Sequence, residues 1–219
     1  MSIKKNLQSI KETLPGHVAL VAVSKTKPNK ELLEAYQAGQ RVFGENKVQE
    51  MTQKWEELPK DIEWHMIGHV QRNKVKYMAE YVSLVHGVDS FRLLKEINKQ
   101  AKKSDRVISC LLQVHIAEED SKFGLDESEL KAIIDSEDFN LMENIRIVGL
   151  MGMATFTENK EQVRKEFSHL KSIFDELKEK LPNITTLSMG MSGDYTIAIE
   201  EGSNMVRIGS SIFGARNYS

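Results

Sequence analysis

Short apolar runs followed by helical periods recur along this chain. The first run lies between His17 and Pro28, in the segment HVALVAVSKTKP, and shows no alternation that would leave one face in water. Its small and β-branched residues therefore predict a strand that is buried on both sides. Ahead of it, apolar residues spaced by four, three and four positions predict an amphipathic helix over residues 1–14; they are Ile3, Leu7, Ile10 and Leu14.

Seven further apolar runs follow, most of them separated by a helical period. The predicted strands are 41–44, 62–68, 84–88, 107–116, 146–151, 185–188 and 205–208. The predicted helices are 30–38, 47–58, 73–81, 90–102, 127–134, 161–181 and 195–200. About eight strands, nearly all followed by a helix, predict an α/β protein: a single (β/α)8 TIM-barrel domain over residues 1–219, with an extra N-terminal helix. An open doubly wound sheet is the alternative, but its glycine-rich loop should follow the first strand, where the chain reads SKTKP.

Composition narrows the classes of partner and compartment. Lys and Arg number 30 against 32 Asp and Glu, a net charge of −2, so nucleic acid is not an expected partner. No apolar run is long enough for a membrane span or a signal peptide, which predicts a soluble, cytoplasmic protein. The single cysteine, Cys110, lies in the apolar run VISCLLQV and is expected to be a buried hydrophobic residue. Well-charged helix faces favour a monomer.

The first predicted strand ends on Lys25, which could be an exposed strand-end lysine or a reactive amine kept neutral by burial and nearby cations. Barrel closure makes the first and last strands neighbours, so Lys25 should stand beside the loops that follow strands seven and eight. Those loops read SMGMSGD from Ser188 and RIGSSIFG from Arg207. Glycines and serine hydroxyls of this kind suit a phosphate, although turns use glycine for other reasons as well.

Arg207 lies within the apolar strand MVRI, where a guanidinium must meet a carboxylate, a phosphate or an acceptor on a ligand. An ion pair to a nearby Asp or Glu is the structural alternative. Pyridoxal 5′-phosphate (PLP) held as a Schiff base needs three groups: a lysine amine, a phosphate-binding loop and a side chain that faces the ring nitrogen. The residues above meet these requirements together.

Seven motifs carry a family resemblance: VAVSKTKP, VFGENKVQE, WHMIGHVQRNK, SKFGL, GLMGMA, SMGMSGD and VRIGSSIFGAR. Together they resemble the pyridoxal phosphate homeostasis proteins, which are single-domain relatives of the N-terminal barrel of alanine racemase. The match runs in register from about Val18 to Arg216, essentially the whole chain.

The resemblance implies a role for eight residues. Lys25 would form the Schiff base with PLP, and Arg207 would face the pyridine nitrogen. The phosphate would be held by Ser192, Gly209 and Ser210. Three more residues would lie beside the ring or line the pocket, namely Asn46, His65 and Met189. A packed histidine is an equal alternative for His65, Lys122 is expected to be solvated, and no metal site is predicted.

Three functions stay open for such a site. The resemblance implies a protein without turnover that supports PLP (vitamin B6) and amino-acid homeostasis and hands PLP to PLP-dependent apoenzymes. The second is a PLP-dependent amino-acid racemase. The third is a lysine-dependent aldolase that acts on a phosphorylated sugar and needs no cofactor.

The chemistry of the ring favours the first function over the racemase. An arginine opposite the ring nitrogen disfavours its protonation, so the ring accepts electrons poorly. A racemase also needs a second acid or base on the face of the substrate opposite Lys25. In alanine racemase that residue comes from a C-terminal domain and a second subunit, and Tyr218 of this chain is expected to lie in a frayed terminus.

Overall fold

Eight parallel strands form a closed barrel in the computed structural model, which describes residues 2–118 and 123–214. The strands follow chain order around the barrel, and β1 pairs with β8 to close it. They are β1 Ala19–Val23, β2 Val42–Glu45, β3 Glu63–Met66, β4 Leu84–Val88, β5 Ile108–Gln113, β6 Ile145–Met151, β7 Thr186–Met191 and β8 Met205–Ile208. The predicted (β/α)8 TIM barrel is therefore confirmed.

Helices cover the outside of this barrel. The larger ones are α1 Ile3–Thr13, α2 Asn29–Gln37, α3 Val48–Glu57, α5 Phe91–Lys103, α6 Glu127–Ile134 and α8 Lys160–Lys180. The shorter ones are α4 Val75–Met78, α7 Glu137–Asn140, α9 Tyr195–Glu200 and α10 Ser210–Phe213. The extra N-terminal helix is present as α1, which buries Ile3, Leu7 and Ile10 and is joined to the end of the barrel by a 2.9 Å bond from the Asn6 amide to the Ile212 carbonyl.

Four elements differ from the prediction, one of them the single-turn helix α7, which no predicted helix covers. The helix predicted over 73–81 is a 3-10 turn, Arg72–Lys74, that continues into the single turn of α4. The strand predicted over 107–116 ends at Gln113, because Val114 leaves the sheet and forms an isolated bridge with Leu125. The predicted phosphate loop after β8 begins with the four-residue helix α10, which is too short to show a hydrophobic period.

Apolar residues fill two regions of the fold. The larger cluster lies between the strands and the helices and contains Trp64, Phe43 and Phe167, which are all fully buried. A second cluster joins residues of β4, β5 and β6 to Met205 of β8. Because β8 is not a neighbour of β4, β5 or β6 in the sheet, these contacts cross the barrel interior. Cys110 is fully buried, as predicted, and burial raises the pKa of its thiol.

Candidate functional site

A cavity of about 990 Å³ opens at the carboxyl ends of the strands. The loops after β1, β2, β3, β6, β7 and β8 all contribute to its lining. Active sites of TIM barrels lie at this face, because all the strand-to-helix loops meet there. Six of the eight predicted site residues line the cavity together: Lys25, Asn46, Ser192, Arg207, Gly209 and Ser210.

The pairing of β1 with β8 brings Lys25 next to the loop after β8. In the register of these strands Val21 is opposite Arg207 and Ala22 is opposite Ile208. The two chains stay close beyond the strands, since a Cβ added to Gly209 would lie 3.1 Å from the Val23 carbonyl oxygen. A glycine at this position therefore lets the β8 loop lie against the strand that ends at Lys25.

Hydroxyl groups and backbone N–H groups gather where the loops after β7 and β8 meet. The Gly209 N–H donates to Ser192 Oγ at 3.3 Å and joins the two loops. The Met191 N–H donates to Asp194 Oδ1 at 2.6 Å and stabilises the turn after β7. Ser192 and Ser210 both line the cavity beside this junction. The two hydroxyls can donate to the oxygens of a phosphate group, and the Gly209 N–H would do so by exchanging its Ser192 acceptor for a phosphate oxygen.

Arg207 lies at the inner wall of the cavity and is buried, with 3% of its surface exposed. Its guanidinium donates to Ser188 Oγ at 2.6 Å and to the Gly152 carbonyl oxygen at 3.0 Å. Burial lowers its pKa to about 10, against the effect of the Asp194 carboxylate, so it stays charged at neutral pH. Both of these hydrogen-bond partners are neutral acceptors, and the Asp194 carboxylate acts on the guanidinium electrostatically.

A chain of hydrogen bonds continues from Arg207 through the barrel interior. The Ser188 hydroxyl oxygen accepts from the guanidinium and lies within hydrogen-bond distance of His86 Nδ1, at 3.0 Å. His86 Nε2 is hydrogen-bonded to His65 Nδ1, also at 3.0 Å. Burial lowers the pKa of His65 to about 3, and burial together with His65 and Arg207 lowers the pKa of His86 well below its usual value. Both imidazoles are therefore neutral, and Arg207 is the charged member of the chain.

The structure does not place His65 and Met189 among the residues that line the cavity. His65 points into the barrel below the cavity and bonds to His86, which is the packed position considered from sequence. Met189 is fully buried in the cluster between the strands and the helices, because its neighbour Ser188 takes the inward position on β7. Lys122 and Tyr218 lie outside the described residues.

A histidine that sequence reasoning left without a role also lines the cavity. His69 Nδ1 lies 2.7 Å from Asp89 Oδ2, and the His69 ring stacks on Phe123 with 4.4 Å between ring centroids. An ionised carboxylate can only accept, so Nδ1 carries the proton and Nε2 is the basic nitrogen. His69 lies in the motif WHMIGHVQRNK, but its partner follows the next strand, and sequence spacing gives no sign of that contact.

The donor set fits PLP. The cavity offers lysine amines for an aldehyde, Lys25 among them, hydroxyl and N–H donors for a phosphate, and one buried guanidinium for a ring nitrogen. No group of three or more His, Cys, Asp or Glu side chains in the described part of the chain could hold a metal ion. In the same residues, no helix has the length and apolarity needed to cross a membrane.

The fold and site define a barrel of the alanine racemase N-terminal class. The family description "Alanine racemase, N-terminal domain" matches residues 1–217. An alanine racemase of Clostridium difficile superposes with a TM-score of 0.79 at 17% identity, covering all of this chain and 56% of that chain, which supports the fold alone.

Two more similar proteins narrow this class. A pyridoxal phosphate homeostasis protein of Vibrio alginolyticus is 40% identical over 233 residues, covering 100% of this chain and 99% of its own. PipY of Synechococcus elongatus, solved with PLP bound, is 35% identical with a TM-score of 0.89, covering 97% of this chain and 100% of PipY. The chain belongs to the pyridoxal phosphate homeostasis protein family, and the resemblance seen in its motifs is confirmed.

Proposed function

We propose that this protein binds PLP reversibly, as a Schiff base on Lys25, and holds it for PLP and amino-acid homeostasis. One observation carries the proposal: Lys25, the serine and glycine loops and Arg207 line the same cavity. PipY, solved with PLP bound, covers nearly the whole chain and supports the same ligand.

Each group of the ligand has a partner in the cavity. Ser192, Gly209 and Ser210 would hold the phosphate with hydroxyl and backbone N–H donors. Arg207 would face the pyridine nitrogen, and Asn46 would lie beside the ring. Bound PLP supplies an aldehyde carbon that forms a hydrolysable bond with an amine and a ring that can accept electrons.

The electrostatics of Arg207 favour binding without turnover. A guanidinium that stays charged at neutral pH repels a proton from a ring nitrogen that it faces. Neither imidazole behind it carries a charge that would reverse this effect. A ring kept unprotonated stabilises carbanions weakly, so we infer that the protein stores and hands on PLP and is not an enzyme.

The same proposal extends to the protein's partners, its cellular compartment and its oligomeric state. PLP-dependent apoenzymes are the recipients of the cofactor, since an apoenzyme lysine can replace Lys25 on the aldehyde carbon. We place the protein in the cytoplasm, which suits a chain with one buried, reduced cysteine. We also propose that it acts as a monomer, because charged residues cover most of its helix faces.

Borohydride reduction followed by peptide mass mapping tests the proposal. The protein mixed with PLP should turn yellow, and the reduced adduct should map to Lys25. Lys25→Ala should lose both signals and keep its fold, whereas Lys47→Ala, a change of another lysine that lines the cavity, should keep them. An adduct that maps to another lysine in the wild type would show that the Schiff base forms at that lysine and not at Lys25. A colourless protein that PLP cannot reconstitute would favour the aldolase.

One observation favours the amino-acid racemase as a second candidate. His69 with Asp89 is an acid/base pair in the cavity that contains Lys25. A racemase must exchange the α-hydrogen of its substrate with solvent, so proton NMR of amino acids in deuterated water with the PLP-loaded protein separates the two functions. Exchange at an enzymatic rate that His69→Asn abolishes would establish the racemase, and no exchange above that of free PLP would leave the binding protein.

A further inference from the structure

A buried ion cluster lies behind the end of β1, next to the turn that contains Lys25. Lys54 of α3 donates to Glu45 Oε1 at 2.7 Å and to Glu50 Oε1 at 2.8 Å, and we name these three residues the Lys54 cluster. Glu45 is fully buried and Lys54 is 5% exposed. Glu50 and Lys54 are one helical turn apart, which places both on the face of α3 that meets β1 and β2.

The Lys54 cluster binds both peptide groups that flank the Lys25 Cα atom. Lys54 Nζ donates to the Ser24 carbonyl oxygen at 2.8 Å, and this carbonyl belongs to the peptide group before Lys25. The Thr26 N–H, in the peptide group after Lys25, donates to Glu50 Oε1 at 2.6 Å. Thr26 has a φ of +63°, a left-handed conformation that is unfavourable for a β-branched residue unless its surroundings hold it.

The same cluster joins the ends of β1 and β2. The Ser24 hydroxyl donates to Glu45 Oε1 at 2.6 Å, and the Ser24 N–H donates to the Gly44 carbonyl oxygen at 3.0 Å. Successive side chains of an extended chain point to opposite sides. With Ser24 and Glu45 turned towards α3, the next residues, Lys25 and Asn46, face the cavity, and both line it.

Stability alone does not explain such a cluster. The Glu45 carboxylate and the Lys54 ammonium group are taken out of water and carry a large desolvation cost, and apolar residues of similar size often give equal stability. Burial raises the pKa of Glu45, which is the sign of that cost. The groups that the cluster bonds are the backbone of Lys25 and its neighbours, so its position matches a role in directing that side chain.

We propose that Glu45, Glu50 and Lys54 are positioning residues that fix the backbone of Lys25 and aim its amine at the aldehyde carbon of PLP. This inference rests on the proposed function. In the step concerned, neutral Lys25 Nζ forms a double bond to the aldehyde carbon, and the aldehyde oxygen leaves as water with the two amine protons. Correct orientation of the Lys25 amine raises the rate of this step, while the phosphate loops determine the affinity for the ligand.

Two measurements distinguish an effect on the orientation of the Lys25 amine from an effect on ligand binding. The rate of Schiff-base formation is followed by absorbance after rapid mixing of protein freed of PLP with PLP. The affinity for pyridoxine 5′-phosphate, in which an alcohol replaces the aldehyde, reports binding without the covalent step. Glu50→Ala and Lys54→Met should slow formation by about tenfold or more and leave this affinity unchanged. Glu50→Gln keeps an acceptor for the Thr26 N–H and should retain most of the rate.

Gln40→Met is the matched control. Gln40 is also buried and also bridges β1 and β2, donating to the carbonyl oxygens of Leu20 and Val42, but it does so at the other end of these strands. It should lower thermal stability and leave the rate of Schiff-base formation intact. If Lys54→Met fails to fold, the Glu50 variants decide, because the Glu50 side chain is partly exposed.

The outcomes are distinct. Slow formation with intact affinity in Glu50→Ala, rescued in Glu50→Gln, supports the positioning role. An unchanged rate in Glu50→Ala, or equal losses of rate and affinity in the variants and the control, overturns it while the wild-type adduct on Lys25 stands. A wild type that forms no adduct on Lys25 overturns the proposed function itself.

Discussion

The buried pair of His65 and His86 should make the folded protein sensitive to acid. Burial lowers the pKa of His65 to about 3 and that of His86 well below its usual value, whereas both side chains titrate near 6.5 in the unfolded chain. Below about pH 6.5 the unfolded chain therefore binds protons that the folded chain excludes. The stability that neutral histidines contribute is complete above this pH and is lost as the pH falls towards 3.

The size of the effect follows from the number of protons. Each histidine that is protonated only in the unfolded chain lowers the free energy of unfolding by about 1.4 kcal/mol per pH unit. The two together give about 2.7 kcal/mol per pH unit at about pH 5, where both are almost fully protonated in the unfolded chain. That is a large part of the roughly 5–15 kcal/mol that stabilises an ordinary domain.

Urea unfolding at several pH values between about 5 and 7 measures this slope. The fluorescence of Trp64, which is fully buried, reports the transition. The double variant His65→Leu/His86→Leu is the comparison, because the carboxylates and the exposed histidines contribute equally to both proteins. At about pH 5, where the unfolded chain is almost fully protonated at both histidines, its slope should be smaller by about 2.7 kcal/mol per pH unit. Equal slopes would refute the reasoning, since they would mean that the folded barrel takes up these protons.

Two further predictions concern the phosphate loops and the sheet. Ser192→Ala and Ser210→Ala should each weaken binding of pyridoxine 5′-phosphate by about 1–3 kcal/mol in equilibrium dialysis, and an unchanged affinity in the double variant would place the phosphate elsewhere. Gly149→Ala should lower the free energy of urea unfolding by about 3 kcal/mol, because the new methyl carbon would lie 1.7 Å from the Thr186 carbonyl oxygen between β6 and β7. Gly16→Ala is its control, since nothing lies within 4 Å of a Cβ there.

The periodicity of the chain is enough to predict the barrel and the neighbours of Lys25. Apolar runs and helical periods identify the eight strands, and closure then brings the first strand beside the last without any information on side chains. The structure brings Lys25, Arg207 and the loops after β7 and β8 together in this way. Topology determines these contacts, so a sequence that shows the topology also shows them.

Side-chain direction and contacts with helices are harder to predict from sequence. His65 and Met189 lie on strands that contribute to the site, but sequence alone does not fix which side of the sheet each faces. For Met189 the register itself shifts between Ser188 and Met191 in the pairing of β7 with β8. The Lys54 cluster depends on which face of α3 meets β1, and the His69 contact with Asp89 depends on two loops. Such contacts depend on how helices and loops pack in three dimensions, and short-range sequence patterns do not predict that packing.

A racemase needs an acid/base group and a PLP ring that accepts electrons, and the cavity provides the first but disfavours the second. His69 with Asp89 provides a group able to take or give a proton, so acid/base chemistry alone does not distinguish a binding protein from an enzyme. Arg207 is different, because it stays charged and donates its hydrogen bonds to the neutral Ser188 hydroxyl and Gly152 carbonyl. A ring nitrogen placed opposite this guanidinium would stay unprotonated and would withdraw few electrons from a bound amino acid. The interior of the barrel, rather than its acid/base groups, therefore favours a protein that holds PLP over one that turns over an amino acid.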